Sequence, residues 1–186
     1  MQAFISKRAV ILFIGLIFIF AFGTATSTAQ QTFIIAGKIT CTDTDPKQID
    51  VGNTKDHIIS LGTSEGTNIS TGEHEFMDGA QAVNMAYNDL VEGNGPQQGY
   101  MKLTKNGDTV FSVWRGKVVA TINPEGTPST TFEGIVSFIK GTGRFENIQG
   151  SGSYTGRYTS KTDYIVEWKG KYFIEKAPIP SNSEPK

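Results

Sequence analysis

Residues 141–158 read GTGRFENIQGSGSYTGRY, with glycines at 141, 143, 150, 152 and 156 set between two segments rich in β-branched and aromatic residues. A glycine run of this kind has three readings: a phosphate-cradling loop, a flexible linker, or a piece of sheet geometry. A phosphate loop needs its glycines to lead into a helix whose N-terminal amides hold the anion, ideally with a Lys-Ser/Thr pair. After Gly150 the chain instead alternates as SGSYTGRYTS and shows no helical period. A linker does not interleave Phe145, Ile148, Tyr154 and Tyr158 with its glycines. Glycine within strands permits bulges, coiling and close strand approach, the devices that close a small barrel. The run is therefore read as sheet geometry.

Working outward, the same period of two extends over the chain from Thr32. Segments 32–41, 57–61, 82–90, 99–103, 109–122, 131–139, 152–160 and 163–176 favour β-branched and aromatic residues, giving eight expected strands. Between them stand turn signals at Asp45-Pro46, Gly52-Asn53, residues 93–96, Asn106-Gly107, residues 123–126 and residues 160–163. Asn106-Gly107 predicts a type I′ hairpin, because that turn needs positive φ at both central residues. Residues 145–152 predict a second hairpin. No window of a dozen residues forms an amphipathic helix, so the pattern is all-β, an antiparallel sandwich or barrel.

Residues 1–29 stand apart. Lys7 and Arg8 precede the apolar stretch 9–22, and the small residues of GTATSTA follow, the order a signal peptidase reads. The apolar stretch is shorter than the roughly 20 residues a bilayer span needs. Cleavage is expected after Ala29, with Ala25 the alternative and an uncleaved N-terminal anchor the competing reading. This predicts a secreted or periplasmic protein with no stable membrane span once the signal is removed. Residues 30–176 then make one domain, and the proline-rich tail 177–186 is expected to be disordered.

Residues 1–29 hold two of the 17 basic residues and none of the 18 acidic ones, which leaves the rest slightly acidic. No Lys/Arg cluster remains to track a nucleic-acid backbone, so nucleic acid is not an expected partner. Cys41 is the single cysteine and no intrachain disulfide can form. A buried inert thiol is the expected state, with pairing between chains as the alternative.

Catalytic and metal patterns are weak. On a strand, Glu73 and Glu75 face one side and His74 the other, so a solvated turn or edge is expected there. His57 has no partner at metal-ligand spacing, and Asp43, Asp45 and Asp50 lack the glycine and terminal Glu of a calcium loop. There is no Gly-x-Ser-x-Gly elbow, and nothing brings Cys41 to His57 or His74. No metal and no cofactor is expected. Arg115, Glu133, Arg157 and Glu167 are expected outside, in cross-strand ion pairs, with the reversed facing, which points one of these charges into the cavity, as the alternative. Tyr154, Tyr158, Tyr164, Trp168 and Trp114 are the expected ligand-contacting residues, with Tyr100 a further source of a hydroxyl. Tyr154, Gly156 and Tyr158 share one strand face, as do Tyr164, Val166 and Trp168 on the next, so pairing places them on a shared wall.

Gly141-Thr142-Gly143-Arg144-Phe145, then Ile148 and Gly150, then the strand YIVEWKGKY (164–172) resemble the C-terminal half of the allene oxide cyclase and dirigent protein barrels, including uncharacterised bacterial proteins of that kind. The resemblance covers residues 99–175, and Gly141, Gly143, Phe145 and Gly150 are its structural motif. It implies an antiparallel eight-stranded, calycin-like barrel with a cavity, often assembled as a trimer. It also implies two activities: in the cyclases a carboxylate assists ring closure of a pre-organised substrate, and in the dirigent proteins the cavity steers a coupling reaction. Their active residues lie mainly before Gly99, outside the matching region, and are not carried over. The expected function is binding of a small apolar molecule in the barrel. The alternatives are a cofactor-free cyclase or dirigent-like enzyme and a homo-oligomeric scaffold.

Overall fold

The computed structural model describes residues 30–176; the expected signal and the C-terminal tail lie outside the described residues. Nine strands run in chain order: β1 (Phe33–Asp43), β2 (Lys47–Asp50), β3 (His57–Ser70), β4 (Gln81–Val91), β5 (Gly95–Lys105), β6 (Asp108–Ile122), β7 (Pro128–Gly141), β8 (Ile148–Tyr158) and β9 (Asp163–Ile174). Neighbours from β3 to β9 pair antiparallel in sequence order, β9 pairs with β1, and β1 returns to β3. That last pairing, from Gly37↔Ser70 to Asp43↔Ser64, closes an eight-stranded barrel. All eight expected strands are present. The ninth, β2, continues the line of β1 along β3 after a break at residues 44–46, from Lys47↔Leu61 to Asp50↔Ile58. Pro46 in that break lacks the N–H a ladder would use.

Turn chemistry follows the sequence closely. Asn106 and Gly107 have φ of 52° and 85° between the partners Lys105 and Asp108, the two-residue turn with both centres left-handed. The signal at residues 93–96 marks a turn one residue earlier: Glu92 and Gly93 are the left-handed pair, and Gly95 already belongs to β5. The second expected hairpin also lies earlier than 145–152. Its turn is a 3-10 segment, Gly143–Phe145, after which β8 begins at Ile148.

That turn explains the opening motif. Gly143 has φ of 59°, and a Cβ there would run into the Asp108 carboxylate. Arg144 donates from its Nε to Asp108 at 2.6 Å and from its backbone N–H at 3.1 Å, tying the β7–β8 turn to the start of β6. Phe145 turns inward against Phe76 and Tyr172, with ring centroids 5.4 and 6.0 Å apart.

The interior has two halves. At one end the loop 71–80, which includes the Glu73-His74-Glu75 turn, folds across the barrel and buries Phe76, Met77 and Ala80. Phe76 meets Phe138, Phe145, Trp168 and Tyr172 with centroids 5.2 to 5.7 Å apart, forming a floor. Asn68, fully buried, donates its amide to the Phe76 and Met77 carbonyls at 3.0 and 2.9 Å and anchors this loop. The other end, where the β4–β5, β6–β7 and β8–β9 turns lie, is open.

Candidate functional site

The eight strands enclose a cavity of about 690 Å³ that runs from the open end down to Phe76. Tyr154, Tyr158, Tyr164, Trp168 and Trp114 all line it. The register brings four of them into direct opposition, Tyr154↔Trp168 and Tyr158↔Tyr164, with Gly156↔Val166 between. The two strand faces therefore form one wall, and that wall faces inward. Tyr100 does not join it: the residue lies outside, 53% exposed, because its parity on β5 is opposite to that of Gln97, Met101 and Leu103.

Four of the large rings are seated on cross-strand glycines. Trp168 lies opposite Gly37, Trp114 opposite Gly99, Tyr154 opposite Gly134 and Phe132 opposite Gly156. A Cβ at any of these glycines would collide with the facing ring. Glycine in this barrel makes room for aromatic side chains to lie against the sheet.

Between the floor and the open end lies a compact polar cluster. Tyr164 and Ser64 share a 2.5 Å hydroxyl–hydroxyl hydrogen bond, and the Asn84 amide donates to Tyr164 at 3.0 Å and to Ser64 at 3.4 Å. Trp114 Nε1 donates to Asn84 Oδ1 at 2.9 Å, which fixes the amide's orientation. Nearer the opening, Gln97 donates to the Tyr154 hydroxyl at 3.3 Å and Asn88 to Ser60 at 3.0 Å. Burial pushes the Tyr154 hydroxyl up to about 12 and the Tyr164 hydroxyl higher still, so both remain neutral. Cys41, buried beside Tyr164, is pushed up to about 11 by the same cause and stays a thiol, a poor nucleophile at neutral pH.

Charge is confined to the opening, where Asp43 and Lys161 are the charged residues among those lining the cavity. Burial raises the Asp43 carboxyl above its ordinary value, and Tyr158 donates to it at 3.4 Å. Tyr158 itself is pushed up to about 12, by burial first and by the Asp43 charge second. Sequence reasoning grouped Asp43 only with Asp45 and Asp50. The structure separates the three: Asp45 sits by Lys47 at 3.6 Å, and Asp50 accepts the Gly52 N–H. What marks Asp43 is its parity with Ile39 and Cys41 on β1, which places it inward.

The other singled-out residues lie elsewhere. His57 stands on the outer side of β3 against Asp89 at 2.7 Å and Asn53 at 2.5 Å, and His74 packs edge-on to Phe33 in the floor loop, so neither reaches Cys41. Arg115, Glu133, Arg157 and Glu167 are exposed on the outer face, as expected. The cross-strand ion pair formed there is Lys117–Glu133 at 3.0 Å rather than a pairing among those four. On β7, Phe132, Val136 and Phe138 face in, while Ile135 and Ile139 are about half exposed outside.

No family model and no curated protein matches the sequence. Among solved structures, the chain is similar to the pterocarpan synthase dirigent protein GePTS1, at 12% identity and a TM-score of 0.49, over 92% of this chain and 100% of that one. It is also similar to the pterocarpan synthase dirigent protein PsPTS1, at 14% identity and a TM-score of 0.47, over 79% of this chain and 97% of that one. The chain is a closed antiparallel eight-stranded barrel. That description rests on its own strand register.

Proposed function

We propose that this is an exported barrel that binds a small, largely apolar molecule in its cavity. The observation that carries the reading is the cavity itself: about 690 Å³, open at one end, walled on its β6–β9 side by aromatic rings and free of charge below its rim. Pockets of this size and lining suit small organic ligands, because apolar walls supply affinity and a few fixed polar groups supply orientation. An interior left unfilled by the protein's own side chains argues against a purely structural barrel. The order of charged, apolar and small residues in 1–29 supports export. The test is native purification followed by solvent extraction and mass spectrometry. A single apolar compound recovered in stoichiometric amount is expected. A protein that carries none and takes up no apolar dye overturns the reading.

A second reading, a cofactor-free enzyme of the cyclase or dirigent-like kind, is favoured by one observation, the inward Asp43 with Tyr158 at the opening. A carboxyl raised by burial and held beside a phenol suits proton transfer. Incubating the extracted compound with wild type and with Asp43→Asn separates the two: turnover lost in the variant supports the enzyme, and equal retention without turnover supports the binder.

A further inference from the structure

The cavity has two unlike walls. All seven large rings that strands bring to the cavity, Trp114, Phe132, Phe138, Tyr154, Tyr158, Tyr164 and Trp168, come from β6 to β9. The opposite wall, from β3, β4 and the start of β5, contributes no ring; beside the apolar Leu90 at the end of β4 it presents Ser60, Ser64, Asn84, Asn88 and Gln97 around the small pair Gly62↔Ala86. The polar residues fall into two stations. Asn84 is paired with Ser64, and Asn88 with Ser60 and Gln97, so the stations lie four residues apart on β4, roughly 13 Å at the rise of an extended strand. Between them Gly62 and Ala86 leave the wall shallow.

The outer station keeps hydrogen-bonding capacity in reserve. Asn88 donates once to Ser60 and Gln97 once to Tyr154, and among the described residues neither amide oxygen accepts a hydrogen bond. An incoming group that both donates and accepts, a hydroxyl, satisfies such amides, whereas an ammonium or carboxylate would lie beside no counter-charge below the rim. A molecule with one polar end reaches only one station.

We propose that the cavity selects an uncharged, rigid, ring-fused alcohol whose hydroxyls lie along one face, set against β3–β5, while its bare face lies on the aromatic wall of β6–β9. This rests on the binding reading and names the ligand class for that same cavity. The closest everyday chemistry is a polyhydroxylated steroid-like skeleton rather than a fatty alcohol.

The experiment is displacement of an apolar dye, with tryptophan quenching as a second readout, using a trihydroxylated bile alcohol, cholestanol and dodecanol. The bile alcohol is expected to bind roughly tenfold more tightly than cholestanol, the gain from one or two well-made hydrogen bonds. Asn88→Leu should abolish that advantage. Ser60→Ala, a smaller change at the same station, should reduce the advantage if Asn88→Leu fails to melt cooperatively. Dodecanol or cholestanol binding as tightly as the bile alcohol overturns the proposal and leaves the binding reading intact. Bile-alcohol affinity unchanged in both variants overturns it as well. Absence of displacement by every compound, with no dye uptake, overturns the binding reading itself.

Discussion

A valine side chain at Gly143 would meet two obstacles at once, a left-handed φ of 59° and the Asp108 carboxylate in the space its Cβ would take. At Gly150 the φ is 151°, and a Cβ would press on the Lys171 carbonyl and the Tyr172 backbone. Either Gly→Val substitution is expected to destabilise the fold by about 1 to 3 kcal/mol, read as a lower melting temperature. An unchanged melting temperature in both would show that the turn yields freely. Asp108 adds a pH dependence. Its hydrogen bonds with Arg144 hold the carboxyl below the usual carboxylate range. A carboxyl depressed by folding contributes stability that is present above its unfolded pKa and lost as pH falls through the folded one. Asp108→Asn should therefore lower the melting temperature at neutral pH and narrow the gap between neutral and strongly acidic conditions. The glycines and Phe145 of this motif were legible as sheet geometry. Their tie to Asp108 was not, because the partner sits 36 residues away in sequence at the head of another strand.

At the scale of elements, β8 and β9 were the most readable part of the chain. Period-two alternation set Tyr154, Gly156 and Tyr158 on one face of β8 and Tyr164, Val166 and Trp168 on one face of β9, and antiparallel pairing made them one wall. Which way that wall faced could not be read, since Thr155, Arg157 and Glu167 alternate with it equally well whether they look out or in. An apolar dye is expected to quench Trp168, and Tyr158→Ala to weaken its binding by roughly five- to tenfold through lost contact area. Equal dye affinity in the variant would take Tyr158 out of the binding surface. The second half of β3, GTSEGTNIS, was missed for a physical reason. Its inward residues Ser64, Gly66 and Asn68 are polar or bare because they face a cavity, an amide network and the Cys41 side chain, and so the apolar alternation that marks a strand is absent. β2 escaped notice similarly, its four residues all being exposed.

The whole molecule divides into a packed floor and an open vessel, and only the vessel's aromatic half was legible. Phe76 lies in TGEHEFMDGA, where polar neighbours disguise it as part of a solvated turn. Its burial to 1% exposure depends on Asn68 satisfying the carbonyls of Phe76 and Met77 in a position no local pattern reveals. Phe76→Ala removes the ring on which Phe138, Phe145, Trp168 and Tyr172 converge, and a loss of about 3 to 5 kcal/mol is expected by chemical denaturation. A loss under about 1 kcal/mol would mean that the floor collapses to fill the gap.

The described chain starts and finishes beside that floor. Gln30 donates to the Ile174 carbonyl at 2.8 Å, and Glu175 donates to Asn147 in the β7–β8 turn. A tag joined at Gln30 or at Lys176, the ends of the described chain, therefore attaches beneath the barrel while its entrance looks the opposite way, like a cup held by its base. Capture on a sensor surface through a tag at either terminus should leave dye uptake equal to that of free protein, and a strong dependence on which end is held would contradict this polarity.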